Sequence, residues 1–437
     1  YKHMKKILLS AAFVMAACCG ASAQKLSYVP YTDNALMMGG CISENGRYIG
    51  GCDTEGRGFI YDTKEAQIKY FVSPNLGTDE ATDNDKAQIY SVTNEGVGAG
   101  CILGKAADFD FATGKYTAIF ENAEEENAIA KWATPDGAYQ CGVTYDASYK
   151  QKPYVYVNDE KADLPTPTDE WLGFETGGFM ANYISNDGSL IVGGAIDNYS
   201  TYPLIFWVRN RDGKTYSVQT PSKRFLDASY ELNQAQPYAW FEGGNVSANG
   251  KWIAMNIQNK DIESGLKMAR FNVDTEEIEI LDCPDVNSST FYYSTGIAND
   301  GTVIGYTQDL DTQSRRGVIC LAGEKEVKYL SEAYPTITDF LTMDEENLNT
   351  ACAITPDGRY VTGFGYKPVD EKNDYIVTWC LDREEKANSI EGVANSEASK
   401  VVASYTTDGK RVNRTKVQRG LVINRLANGK AVKNLKK

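Results

Sequence analysis

Ile184-Ser185-Asn186-Asp187-Gly188-Ser189-Leu190-Ile191-Val192-Gly193-Gly194 decides the fold, because the chain returns to it. The pattern recurs as Ile42-Ser43-Glu44-Asn45-Gly46, Val92-Thr93-Asn94-Glu95-Gly96 and Ala133-Thr134-Pro135-Asp136-Gly137. It returns again as Val246-Ser247-Ala248-Asn249-Gly250, Ile297-Ala298-Asn299-Asp300-Gly301 and Ile354-Thr355-Pro356-Asp357-Gly358. These are seven copies, each followed by a short β-rich run that tends to end in Gly or another small residue. An Asn-Gly or Asp-Gly pair between apolar runs is a strong hairpin signal, and it predicts a type I′ turn with positive φ at both central residues.

The turn glycines 46, 96, 137, 188, 250, 301 and 358 lie 50, 41, 51, 62, 51 and 57 residues apart. A four-stranded propeller blade takes roughly 40–50 residues. Further strand patterns fill each unit, such as Pro203–Val208 with Thr215–Val218, and Ala269–Val273 with Ile278–Leu281. The fold expected is therefore all-β, a seven-bladed β-propeller over residues 24–382. The seventh unit offers Ala351–Thr355, Tyr360–Gly365 and Tyr375–Cys380 and then runs out of β-signal. The unclaimed N-terminal stretch Leu26–Tyr31 is expected to complete that last blade and close the ring without an exposed edge.

The chain has 437 residues, 42% apolar and 24% charged, enough for a large core. Residues 1–23 read as a secretory signal preceded by the three residues Tyr1-Lys2-His3: Lys5-Lys6, an apolar run, then Ala21-Ser22-Ala23 before Gln24. The run is too short for a membrane span. Met15-Ala16-Ala17-Cys18 offers a second reading, a lipid anchor at Cys18. Cleavage after Ala23 removes three lysines and no acid, which moves the formal charge from −15 to −18. Such a surface repels phosphate backbones, so nucleic acid is not an expected partner.

Eight cysteines remain beyond the signal: 41, 52, 101, 141, 283, 320, 352 and 380. An exported chain offers the chance to pair them. Five of them, however, sit four to six residues from turn glycines, where other copies place Gly or Ala, which reads as small buried hydrophobes. The only histidine is His3. The mature chain thus has no Ser-His-Asp or Cys-His nucleophile system and no His-ligated metal. Neither a metal nor a cofactor is expected. The acids Asp79-Glu80, Asp83-Asn84-Asp85 and Asp309, Asp311 lack the calcium-loop pattern and read as solvated loop charge.

The connections leading into the innermost strands are rich in aromatics. Trp171, Phe174 and Phe179 precede the fourth copy, Tyr230, Tyr238, Trp240 and Phe241 the fifth, and Phe291, Tyr292 and Tyr293 the sixth. Glu170, Glu175 and Glu242 stand among them. Rings with nearby carboxylates suit sugars or peptides, and rings also plug gaps between blades. The expected ligand-binding set is Trp171, Phe174, Tyr238, Trp240, Tyr292, Tyr293, Glu170, Glu175 and Glu242. No catalytic residue is assigned. The function expected is an exported, non-catalytic propeller that binds a glycan, peptide or surface protein through one face. The alternative is a carboxylate-based glycan-cleaving enzyme, which needs two acids about 5–9.5 Å apart; Asp344-Glu345-Glu346 adds candidates by location.

Residues 383–399 turn polar and small and read as a linker. Residues 400–437 turn basic and keep a β pattern. Tyr405-Thr406-Thr407-Asp408-Gly409-Lys410-Arg411-Val412, then Gly420-Leu421-Val422-Ile423-Asn424-Arg425, then Asn428-Gly429-Lys430, resemble the C-terminal sorting domain of type IX secretion cargo in Bacteroidetes. The resemblance covers about the last forty residues, in a short version with Leu421 where an aromatic usually follows the glycine. It implies passage through the outer membrane to the cell surface or medium, with the type IX machinery as partner; a periplasmic location is the other reading. The seven copies resemble bacterial extracellular propeller repeats of the HAF and TolB-like type over residues 35–382, which implies a propeller and no particular activity. They differ from the sialidase Asp-box, which keeps one residue between its Asp and its Gly.

Overall fold

The computed structural model describes residues 24–30, 37–120, 127–157, 160–168, 177–196, 204–219, 245–258, 266–284, 286, 289–335, 337, 349–370, 373–383, 401–405, 411–412, 420–426 and 431–436. The chain divides into two compact units, Tyr1–Glu384 and Glu385–Lys437.

In the first unit each sequence repeat builds an antiparallel sheet from consecutive strands, so every link is a hairpin. Repeat 1 pairs Met37–Ile42, Tyr48–Asp53, Gly58–Asp62 and Gln67–Phe71; repeat 2 pairs Gln88–Val92, Val97–Ile102, Lys105–Asp110 and Lys115–Ala118. Repeat 3 pairs Ala128–Ala133, Tyr139–Tyr145, Gln151–Val157 and Glu160–Asp163; repeat 4 pairs Gly178–Ile184, Leu190–Ile196, Leu204–Arg209 and Tyr216–Gln219. One parallel bridge, Gln151 to Gly178, joins those two sheets. Repeat 5 pairs Trp252–Gln258, Leu266–Asn272 and Glu277–Ile280, with Val246 bridging Ile253 on its inner side. Repeat 6 pairs Thr290–Ile297, Val303–Asp309, Arg315–Cys320 and Lys328–Tyr329. Repeat 7 supplies Thr350–Ile354, Tyr360–Asp370 and Asn373–Asp382, and the N-terminal strand Lys25–Tyr28 pairs along its outer edge with Lys25 opposite Asp382.

The core lies between sheets. Cys41 and Ile60 of repeat 1 pack on Ile89 and Phe109 of repeat 2. Ala99 meets Ala130 and Tyr154; Cys141 and Val155 meet Ile184 and Trp207; Val192 and Phe206 meet Met255 and Phe271. Met268 meets Tyr292 and Val318, and Ile304 meets Val361 and Trp379. Ala353 and Cys380 of repeat 7 pack on Ile42 and Phe59 of repeat 1. The Gly39 amide also donates to Thr378 Oγ1 across that junction, at 2.6 Å. This is the radial packing of a β-propeller. Each fully buried Ile, Val or Phe side chain contributes roughly 1.5–3 kcal/mol.

The repeat turns differ from the type I′ expectation. Only the glycine takes positive φ, 72° at Gly46 and 67° at Gly188, while Asn45 and Asp187 do not. The Gly46 amide donates to the Ser43 carbonyl and the Ser43 amide to the Tyr48 carbonyl, both 2.8 Å, which is a type I turn followed by a left-handed glycine. The side chains explain the motif. Ser43 Oγ donates to Asn45 Oδ1 (2.7 Å) and accepts from the Tyr48 amide (2.9 Å), and Asn45 Oδ1 accepts from the Arg47 amide. Thr134 with Asp136, Ser185 with Asp187, Ser247 with Asn249 and Thr355 with Asp357 repeat that contact.

A second rule explains the glycines after the turn. The innermost strands of repeats 1, 2, 3, 4, 6 and 7 each carry a β-bulge against the next strand. Opposite the bulge stand Gly51, Gly100, Gly142, Gly193, Gly305 and Gly363, where an added Cβ would meet a carbonyl oxygen of the inner strand at 1.8–2.1 Å. No side chain fits there. Repeat 5 carries Met255 at the corresponding place. Among the described residues its inner strand makes only the Val246 bridge to the sheet.

The first unit extends to Arg383. This residue is buried, its guanidinium donating to Tyr334 Oη and the Gly358 carbonyl, so the first unit runs through it. In the second unit the strands pair in the order Arg411–Val412, Val401–Tyr405, Gly420–Leu426, Ala431–Lys436, all antiparallel. Residues 1–23 lie outside the described residues.

Candidate functional site

The turn end of the axis narrows to a small cavity. Ile42, Val92, Ala133, Ile184, Val246, Ile297 and Ile354, the residues that open the seven copies, all line one cavity of about 40 Å³. Glu44 of the first copy and Asn186 of the fourth reach across it, Asn186 Nδ2 donating to Glu44 Oε1 at 2.6 Å. Burial pushes the Glu44 carboxyl up from its ordinary value, the Asn186 hydrogen bond opposes that, and Asp136 and Asp357 add to it. The opposite end is where the inner strands begin.

At that end repeat 6 presents an aromatic ladder. Phe291 and Tyr293 alternate onto one face of Thr290–Ile297, and Tyr306 stands directly opposite Tyr293 on the next strand. Ring centroids are 6.4 Å apart for Phe291–Tyr293 and 5.0 Å for Tyr293–Tyr306, with interplanar angles of 15° and 28°. The Arg315 guanidinium of the third strand lies 4.9 Å from the Tyr306 ring centre. Gly317 stands opposite Tyr306, and the Leu330 side chain packs against it. Three buried polar atoms in this corner have no hydrogen-bond partner among the described residues: Arg315 Nε, Asn349 Oδ1 and Thr350 Oγ1. They belong together, since the Asn349 amide donates to the Arg315 carbonyl at 3.1 Å. Stacked rings, a cation and unspent buried acceptors are the components of a polar-ligand site.

A separate cleft of about 390 Å³ opens between repeats 2 and 3, lined by Asn84, Lys86, Gln88, Asn127, Tyr145 and Tyr149 among others. Its one acid, Asp83, pairs with Lys86 at 2.7 Å. The reading of the neighbouring acids as solvated charge is corrected at Asp85. That side chain is 3% exposed and accepts from Ser73 Oγ (2.6 Å) and the Thr82 amide (2.8 Å), hydrogen bonds that hold its carboxyl below the usual range. Asp309 likewise accepts from the Asp311 and Thr312 amides.

Of the residues expected to bind ligand, Glu170, Trp171, Phe174, Glu175, Tyr238, Trp240 and Glu242 lie outside the described residues, as do Asp344-Glu345-Glu346. Tyr292 is not a platform: it is 0% exposed, its hydroxyl donates to the Pro284 carbonyl, and its ring packs between repeats 5 and 6. Phe179 is likewise core. Tyr293 joins the ladder, in a strand rather than a loop. Tyr306 and Arg315 were not anticipated. The available signal was period-2 alternation, which puts Phe291 and Tyr293 on the face opposite Tyr292.

All eight described cysteines are free thiols. Burial pushes Cys52 and Cys320 up to about 11, and Cys283, Cys352 and Cys380 up to about 12. Among the described residues no three His, Cys, Asp or Glu side chains converge on a metal position.

No protein-family model matches the chain, and no curated protein does. Among solved structures the chain is similar to the putative TolB from Agrobacterium tumefaciens, at 13% identity over 60% of this chain and 90% of that one, with a TM-score of 0.37. It is similar to TolB from Acinetobacter baumannii, at 15% identity over 67% and 64%, with a TM-score of 0.36. It is also similar to oligogalacturonate lyase from Vibrio parahaemolyticus, at 13% identity over 84% and 95%, with a TM-score of 0.43. These likenesses say nothing about chemistry; the propeller arrangement rests on the sheets and their packing in this chain.

Proposed function

We propose that residues 24–382 with Arg383 form a closed seven-bladed propeller that is exported and binds a glycan without cleaving it, at the end where the inner strands begin. One observation carries this reading: the Phe291–Tyr293–Tyr306 ladder with Arg315 at its end and unspent Asn349 and Thr350 oxygens beside it. Sugar rings stack on aromatic faces through their C–H groups and spend their hydroxyls on polar neighbours. A peptide or surface protein is the competing partner. Residues 1–23 would direct export and residues 400–437 would act as a type IX address. Among the described residues no helix is long and apolar enough to cross a membrane.

The test is a glycan array and polysaccharide pull-down with the secreted chain beside Tyr293→Leu and Arg315→Gln, each checked for an unchanged melting temperature. Binding lost in both folded variants supports the site. Binding that survives both moves it to another part of the surface, and no glycan binding by the parent removes the sugar reading.

A further inference from the structure

The bulges that demand glycine in the second strand have a consequence on the other side. Each inserts one extra residue into an inner strand, and the extra residues are Gly40, Tyr90, Lys131, Asn182, Thr295 and Cys352. They occupy the same register position in their repeats, so they form a tier around the axis. Contacts agree with this placement. The Lys131 ammonium lies 4.1 Å from the Tyr90 ring centre, one bulge residue against the next. Thr295 Oγ1 donates to the Ala351 carbonyl, beside the bulge of repeat 7, at 2.7 Å. A Cβ added at Gly40 would meet nothing within 4 Å, so the position faces open space. Below the tier Trp132 and Tyr183 pack edge to face at 5.1 Å, and beyond them the apolar ring closes the axis.

Lys131 is the cation of this tier and has no carboxylate within ion-pair distance among the described residues. The groups that face it are Tyr90, Cys101 and Cys141. The Tyr90 hydroxyl is already spent on Gln88 Oε1, and burial keeps the Cys101 and Cys141 thiols protonated. Lys131 is half-buried, and an ammonium partly removed from water without a counter-charge is costly, a cost that an anion drawn to it recovers in part. The Asn182 side chain, at the same level, makes no hydrogen bond among the described residues and supplies an amide donor.

We propose that this axial tier is an anion site, in which Lys131 anchors the oxyanion of a small carboxylate- or phosphate-bearing ligand, Asn182 donates to it, and Tyr90 walls it. The proposal does not depend on glycan binding at the aromatic ladder.

Isothermal titration of the secreted chain with glucuronate, glucose and inorganic phosphate tests it, beside Lys131→Met, Lys131→Arg and Asn182→Ala. The expected result is binding of at least one anion, no binding of glucose at this site, a tenfold or greater loss in Lys131→Met, retention in Lys131→Arg and a severalfold loss in Asn182→Ala. Glucuronate alone would assign a sugar carboxylate, and phosphate alone a phosphate ligand. Lys131→Met is expected to melt no lower than the parent, since it removes a half-buried unpaired charge; should it fail to fold, Asn182→Ala carries the test. Anion binding that is absent, or unchanged in the folded variants, overturns the proposal, as does a carboxylate of the chain's own loops found paired to Lys131.

Discussion

Replacing Ser247 by Ala tests whether the repeat motif is a hydrogen-bonding device or only a turn. Ser247 is fully buried; its hydroxyl donates to Asn249 Oδ1 at 2.7 Å and accepts from the Trp252 amide at 2.9 Å. Alanine removes both contacts. Asn249 is exposed and can turn to water, so its share of the loss is small. The Trp252 amide is only partly exposed, and leaving such a donor unmet costs about 1–3 kcal/mol beyond the bond's own worth. The expected loss is therefore about 2 kcal/mol. Over a unit of this size, an unfolding entropy of roughly 2.1 cal/mol/K per residue converts that to about 3 °C in Tm. The assay is urea unfolding followed by tryptophan fluorescence, with calorimetry beside it. Ser247→Thr should restore most of the stability, because Thr93, Thr134 and Thr355 hold the same position in other copies. An alanine loss below about 0.5 kcal/mol, or a threonine variant as weak as alanine, refutes the reasoning.

Three further outcomes are expected. Arg270 is 2% exposed and ties repeat 5 to repeat 6, pairing with Glu279 at 2.5 Å while donating to the Gly301 and Glu324 carbonyls. Arg270→Met should lower the urea midpoint by the equivalent of about 3–5 kcal/mol, nearer the lower figure because Glu279 is 29% exposed and rehydrates. Glu44 has its carboxyl raised by burial, so the folded state holds its proton to higher pH than the unfolded chain and ionisation costs stability. Glu44→Gln should thus exceed the parent in stability at about pH 8, with the gain vanishing below the ordinary carboxylate range; denaturation curves across that window check it, and an equal gain at acid pH would contradict it. The eight thiols, held protonated by burial, should react slowly with a disulfide reagent in the native chain and rapidly in urea; a fast native phase of more than one thiol would contradict their placement.

Much of the architecture was legible because it is local. A Ser-x-Asn-Gly or Thr-x-Asp-Gly stretch carries its own hydrogen bonds, so each turn could be found without knowing its neighbours. The turn type was missed: the Asn or Asp side chain accepts from Ser or Thr and from the backbone, which keeps it at negative φ and leaves the left-handed step to glycine alone. The glycines after the turn were visible as a tendency, yet their cause lies in the opposing strand. Repeat 5 has Met255 where the others have that glycine, and the segment opposite it lies outside the described residues.

The sequence by itself determined the repeat, its hairpins, the strand left over at the N-terminus and the absence of histidine chemistry beyond His3, because these depend on residue identity and short-range spacing. Only the tertiary structure decided which aromatics are half-buried and which fill the core. Tyr292 and Tyr293 are neighbours in sequence, but strand alternation sends one into the junction with repeat 5 and the other onto the ladder with Tyr306 and Arg315. The meeting of Tyr90 with Lys131, or of Glu44 with Asn186 some 142 residues away, is set by where bulged strands converge on an axis. Burial and convergence are properties of the packed ring, and no window of sequence contains them.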